Sequence, residues 1–261
     1  MKMLNMTEFQ GGGASKNKLL KGFTLSEVLI TLGVIGIVAS LTIPQLIKNY
    51  QAKVLETAFK KSYSNLSKAY LMTLQELGVT NLRKAFATYD EEDKAYPLAE
   101  EFTRVFYKQL GASQEAEPYV IKNYNNTTSF TTIGGLHPAA GWQHIAPLKM
   151  LPDGSSIGTR VGGAMIVFYV DTNGPYGKPN RLGFDVFSFG VIDNQDIVKP
   201  FKQEKLLTDE ELEEQAYPEI AGRPCSIKST QKYNGYGCSY YAMNDINPDD
   251  NKSSYWKNLP K

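Results

Sequence analysis

The sequence predicts an α+β chain in which one long N-terminal helix, apolar all round in its first half and one-sided in its second, packs on a small antiparallel sheet. Three observations predict it. Phe23 to Ile47 reads FTLSEVLITLGVIGIVASLTIPQLI, 25 residues whose single ionisable side chain is Glu27. Beyond Pro44 the apolar residues recur at helical three-and-four spacing as Val54, Leu55, Ala58, Phe59, Leu66, Ala69, Tyr70, Thr73 and Leu77, while Lys53, Lys60, Lys61 and Lys68 take the other face. Between Ile145 and Ile192 four strand-like segments are separated by turn signals, and the last two are rich in Val, Ile, Phe and Tyr.

The first half of the helix is long enough, at about 1.5 Å per residue, to cross a bilayer core of about 30 Å. A carboxylate in hydrocarbon costs about 2.5–3.5 kcal/mol on the gentler insertion scale, so Glu27 calls for a partner. No basic residue in the run supplies one, whereas an α-amino group created on Phe23 would. An ordinary secretory signal has a shorter apolar core with an A-x-A-like site after it. Here the run continues past the poor imitation at Val38 to Ser40. Lysines flank both ends, with Lys21 before the run and Lys48 and Lys53 after it, so the positive-inside rule does not set the orientation.

The amphipathic half ends near Gly78, a residue suited to a left-handed C-terminal cap, and a rod from Phe23 to Leu77 would be about 80 Å long. Such a stripe reads as core. Thr80 to Gln114 is helical and mixed, with Phe102, Val105, Phe106 and Leu110 as its apolar side. A polar Asn/Thr loop at 123–132 follows, with Asn-x-Thr triplets starting at Asn125 and Asn126. The strands run Ile145–Leu151, Ser155–Val161, Ala164–Val170 and Phe184–Ile192, with a Pro-Asp-Gly turn at 152–154. Three or four of them would form the sheet. Thr208 and Glu211 then stand as a capping box before an acidic, solvated helix.

Hydrophobic residues make up 42% and charged residues 21%, the range of a folded soluble domain, which excludes a disordered tail and a multispan membrane protein. The formal charge of +1 hides a split. Residues 1–22 hold Lys2, Lys16, Lys18 and Lys21 against Glu8, and without them 24 basic residues face 26 acidic ones, a charge of −2. That near-neutral remainder has no global pull toward nucleic acid or anionic lipid, so either would need a local basic patch, and none is visible in the sequence. Cys225 and Cys238 are spaced neither as a CxxC redox pair nor as a zinc site. In an oxidising compartment their bond would stabilise the head by about 3 kcal/mol, and the alternative is two buried thiols.

KGFTLSEVLITLGVIGIVASLTIP resembles the prepilin signal of type IV pilins and type II secretion pseudopilins: Gly before the cut, Phe after it, Glu as the fifth mature residue. The resemblance covers about a tenth of the chain. It implies a pilin-like fold, recognition of Gly22 by a prepilin peptidase, and cleavage that leaves an N-methylated Phe23. It further implies that Glu27 pairs with the Phe23 amine of a neighbouring subunit, and that Pro44, with Gly33 and Gly36, marks where the helix weakens within a filament. The implied organisation is a cleaved leader at 1–22, a transmembrane and assembly half at 23–47, an amphipathic half at 48–78 and a periplasmic or extracellular head at 79–261. The implied partners are identical or homologous pilin subunits, the peptidase, an inner-membrane assembly platform and, before assembly, membrane lipid. Met3 or Met6 would serve as the start without moving the cut.

VDTNGPYGKPNRLGFDVFSFGV resembles a loop of many pilin-like heads, and its Asp171, Asn173 and Asp185 are hard oxygen ligands that would suit calcium. The EF-hand template is not met, since Gly174 stands fourth in the loop. Asx residues also build turns without metal. The stretch CSIKSTQKYNGYGCSYY resembles the disulfide-bounded C-terminal region of pilin heads. The rival reading is a membrane-anchored periplasmic enzyme. It lacks chemistry, because His137 and His144 are the only histidines and no GxSxG, HExxH or P-loop occurs. A ligand-binding role at a filament tip stays open through the Tyr-rich C-terminal stretch.

Overall fold

Spacing of apolar side chains every three or four residues, without a break stronger than Pro44, carries one helix, α1, from Leu25 to Leu77. The computed structural model describes residues 22–80, 82, 97–112, 114–116, 120–122, 124, 129–131, 143–162, 165–191, 196–205, 208, 210–211, 222–230 and 234–260. Pro44 lies inside α1 and does not end it, although its missing N–H leaves the Ser40 carbonyl without the usual i+4 donor. The helix stops as its sequence predicts. Gly78 adopts φ +65°, its N–H donates to the Gln75 carbonyl at 3.2 Å, and the Val79 N–H donates to Leu74 at 3.1 Å. That pair of bonds is a Schellman cap.

The chain divides into two compact units, one ending at Leu46 and one running from Ile47 to Lys261. In the second, α2 (Pro97–Leu110) is followed by β1 (Gln114–Glu115), β2 (Val120–Lys122), β3 (Ser129–Thr131), β4 (Gln143–Met150), β5 (Ser156–Gly162), β6 (Met165–Asp171), β7 (Val186–Val191) and β8 (Lys199–Pro200). A short helix α3 (Cys238–Asn244) and a 3-10 turn at Trp256–Asn258 close the described chain. The main sheet has the order β1-β4-β5-β6-β7-β8 with every pair antiparallel, and β2 pairs with β3 in a small second sheet. The four expected strands are β4 to β7. The two extra edge strands are two residues long, too short to carry a periodicity that sequence reading could detect.

Between β4 and β5 the register shifts between Ala146 and Lys149, where Pro147 has no N–H for the ladder. The Pro-Asp-Gly turn then closes as predicted. Leu151 N–H donates to Ser155 O at 2.8 Å, Ser155 N–H to Asp153 Oδ1 at 3.1 Å, and the same Asp153 pairs with Lys61 of α1 at 2.7 Å.

Strand alternation divides β6 between two cores. Ile166, Phe168 and Val170 join the cluster that contains α1 and α2, while Val167 and Tyr169 join Leu182, Val186, Phe201 and Tyr236 in another. Into the first cluster α1 sends Ala52, Phe59, Leu66 and Thr73, seven residues apart, with Ala69 and Tyr70 beside them. Phe59 is fully buried, its ring 4.5 Å from Phe187, 5.7 Å from Phe189 and 5.6 Å from Trp256. Tyr70 meets Phe102 and Phe168 at 6.1 and 6.2 Å. Thr73 and Thr103 satisfy their buried hydroxyls on carbonyls one turn back in their own helices. On the other face of the sheet the Phe201 ring crosses Gly190 so closely that a Cβ there would meet it at 2.4 Å.

Because the Phe59 ring is the point where α1, β7 and the C-terminal turn meet, Phe59→Ala should lower the unfolding free energy by about 3–5 kcal/mol. Urea unfolding of the full chain in detergent, followed by tryptophan fluorescence, reads this directly. A loss under about 1 kcal/mol would contradict this account of the core.

Candidate functional site

Gly22, Phe23 and Thr24 precede α1 without helical structure, and all three are exposed, Phe23 at 88%. A Cβ built on Gly22 meets nothing within 4 Å among the described residues, so none of their packing demands a glycine there. The helix opens with a device that the sequence TLSE signals and that was not anticipated above: a capping box formed by Thr24 and Glu27. Glu27 Oε2 accepts the Thr24 N–H at 2.8 Å and the Thr24 hydroxyl at 2.9 Å, while the Glu27 N–H donates to Thr24 Oγ1 at 3.2 Å. Among the described residues the other carboxylate oxygen, Oε1, accepts no bond. Glu27 therefore has a local role, at the helix end where its charge also suits the dipole, and retains an oxygen for a second partner.

From Gly22 to Ile47 every residue is exposed except the half-buried Ala39. Leu25, Leu29, Ile30, Ile35, Ile37, Leu41 and Leu46 are each more than three-fifths exposed. An 18-residue window of this stretch has a mean hydropathy of 2.0 and none of it is covered by protein, which makes it a candidate membrane span. Its polar side chains hide their own donors. The hydroxyls of Thr31, Ser40 and Thr42 donate to carbonyls three or four residues back, at 2.8–2.9 Å. A helix that is apolar on all sides and internally satisfied suits hydrocarbon or packed helices, not water.

The structure brings Asp171, Asn173 and Asp185 together at the turn joining β6 to β7. Asp185 is fully buried, and its oxygens face donors: the Arg181 N–H at 2.6 Å on Oδ1, and the Asn180 N–H at 2.9 Å and Asn173 Nδ2 at 3.3 Å on Oδ2. Asp171 Oδ1 accepts the Asn173 N–H at 3.2 Å, an Asx turn. Burial pushes the Asp185 carboxyl above its ordinary range, and the N–H groups of Arg181 and Asn180 pull it back. Three N–H donors aimed at one carboxylate organise a turn, and a calcium ion in their place would face them. Three of the acceptor positions of Asp185 are thus taken by N–H donors, and among the described residues no group of three or more His, Cys, Asp or Glu side chains is placed to hold a metal.

The same turn is clamped from the C-terminal side. Cys225 and Cys238 form a disulfide with Cα atoms 5.1 Å apart, and both are buried. Gly183, at φ +70°, lies so close that a Cβ would meet Cys238 Cβ and Tyr124 Cδ2 at 2.8 Å. The Tyr255 hydroxyl donates to the Gly183 carbonyl. Asn234 braces the disulfide loop, taking the Ser226 N–H at 3.0 Å and donating to the carbonyls of Ser226 and Ser229. Thr208 and Glu211 form their expected capping box, at 2.9 and 3.2 Å. Residues 1–21, the Asn125 and Asn126 triplets and His137 lie outside the described residues.

These features define an α+β domain whose N-terminal helix begins as a candidate membrane span. No protein-family model, no curated protein and no solved structure matches the chain.

Asp185→Asn keeps one acceptor and turns an NH2 toward backbone N–H groups, so it should lower stability by about 2–3 kcal/mol, read by thermal unfolding in detergent. Millimolar calcium against chelator should leave the melting temperature of the parent chain unchanged. A rise of several degrees with calcium would overturn the reading of this loop as a metal-free turn.

Proposed function

We propose that this chain is a structural subunit of a type IV pilus or a type II secretion pseudopilus. A prepilin peptidase cuts it between Gly22 and Phe23, the new Phe23 amine is methylated, and the subunit waits in the inner membrane as a single-pass protein with its head in the periplasm. An inner-membrane assembly platform then stacks it with identical or homologous subunits through residues 23–47. The subunit performs no catalysis in this reading.

The observation that carries the proposal is an exposed, all-round apolar helical stretch whose one ionisable group is the fifth residue after a Gly-Phe bond. Exchange of lipid for sister helices provides a second apolar environment for that surface. Glu27 Oε1, which accepts no described bond, is the atom offered to the Phe23 amine of a neighbour. Exposure of Gly22 and Phe23 in a non-helical segment supports access by a peptidase.

Gly22→Ala meets no steric obstacle in the fold, so its expected effect is on processing alone: the leader stays attached. Mass analysis that finds a mature chain starting at Phe23 in this variant would refute the assigned cut. For Glu27 the capping box makes two substitutions informative. Glu27→Gln keeps an acceptor for the Thr24 N–H and removes the charge, whereas Glu27→Val removes both. Both variants should insert and be cleaved, and both should lose filament yield by at least about tenfold, as expected when a buried ion pair is broken at about 3–5 kcal/mol. Normal assembly of Glu27→Gln, scored by electron microscopy of sheared material, would reduce Glu27 to a helix cap.

A further inference from the structure

The second unit contains a groove of about 710 Å³ that the assembly reading does not use. Tyr50, Val54 and Leu55 of α1 form its apolar side, and Lys122, Lys178 and Arg181 form its cationic side. Backbone geometry holds the cations together. Lys122 N–H donates to Asn180 O and Leu182 N–H donates to Lys122 O, both at 2.9 Å, while Asp185 fixes the N–H groups of Asn180 and Arg181. Arg181 is buried, its guanidinium 4.4 Å above the Phe184 ring and its Nη2 donating to Pro260 O at 2.7 Å. Lys122 and Lys178 are exposed, and among the described residues neither ammonium reaches a carboxylate.

The groove begins where the apolar run stops. Tyr50 stands three residues and Val54 seven residues beyond Ile47, so along α1 they lie about 5 and 10 Å past the hydrocarbon edge, the depth of lipid headgroups. Tyr50 is 69% exposed, an amphipathic ring of the kind that anchors at that level. An occupant needs an anion for the lysines, apolar matter for Tyr50, Val54 and Leu55, and access from the bilayer.

We infer that this groove binds the headgroup of an anionic phospholipid, with the phosphate between Lys122 and Lys178 and the upper acyl chain along Tyr50 and Val54. The lipid would seat the head on the membrane surface before extraction. The inference rests on membrane insertion of residues 23–47 and is independent of polymerisation. Lipid selectivity in a chain that forms no filaments would leave it standing alone, and filaments without selectivity would overturn it alone.

The test uses the full chain in nanodiscs of phosphatidylcholine with one quarter phosphatidylglycerol, and native mass spectrometry counts the lipids retained on extraction. Each lysine near an anionic surface contributes about fivefold in association. The ratio of phosphatidylglycerol to phosphatidylcholine among the retained lipids should therefore exceed the ratio in the disc by at least about fivefold, and Lys122→Glu/Lys178→Glu should bring it within about twofold of the disc ratio. The milder Lys122→Gln/Lys178→Gln pair should weaken it in the same direction, and Lys228→Glu/Lys252→Glu, exposed but outside the groove, should not. Equal retention by the parent chain and the groove variants would overturn the proposal. So would saturable binding of inorganic phosphate at these lysines in phosphatidylcholine alone, which would assign a free anion. Hydrogen-exchange protection of residues 120–122 and 178–182 that rises with protein concentration in the same uncharged discs would place a second copy there, and would equally overturn it.

Discussion

Phe59 is the residue on which the second unit converges, because its ring on α1 meets Phe187 and Phe189 on the inner face of β7 and Trp256 near the C-terminus. The sheet is antiparallel and could form from hairpins, but one face of β5 to β7 is lined with Val, Ile and Phe and needs a cover. The far half of α1 is that cover, and its heptad-spaced residues match the sheet face. Lys61 to Asp153 and Lys108 to Glu76 then tie the rim at 2.7 and 2.9 Å, contributing little energy at their exposure yet fixing where the turn and α2 lie.

A second constraint is buried charge. Asp185 is isolated from water, and it is tolerated because backbone N–H groups surround it. One carboxylate thereby fixes the path of Asn180 and Arg181, and so of the small β2 edge that pairs with them. The disulfide, worth about 3 kcal/mol for a loop of this length, holds the C-terminal segment over Gly183. Turn, disulfide and Tyr255 are one assembly, which explains why a glycine is required where the sulfurs pass.

Leu25 to Leu46 obey different physics. They are exposed but for the half-buried Ala39, the hydroxyls of Thr31, Ser40 and Thr42 donate within the helix, and their apolar surface has no aqueous rationale. Glu27 shows how one residue serves two levels. Its Oε2 closes the capping box at the helix start, and its Oε1, which accepts no bond among the described residues, is the atom that the proposed assembly uses.

The sequence by itself determined the long helix and its end at Gly78, the four central strands, the Pro-Asp-Gly turn, the Thr208 capping box and the apolar run. Each follows from local periodicity or turn chemistry, which one segment carries whole. The capping box at Thr24 is equally legible in TLSE, where Thr and Glu stand three residues apart at the start of the apolar run. Only tertiary structure decided the number of strands, since two-residue edges are defined by their neighbours. It alone decided that Asp185 faces the N–H groups of Asn180 and Arg181, that Cys225 and Cys238 are bonded, and that Tyr255 and Trp256 are core. Those outcomes depend on contacts between residues tens of positions apart, and no spacing along the chain encodes which side of a turn its donors will face.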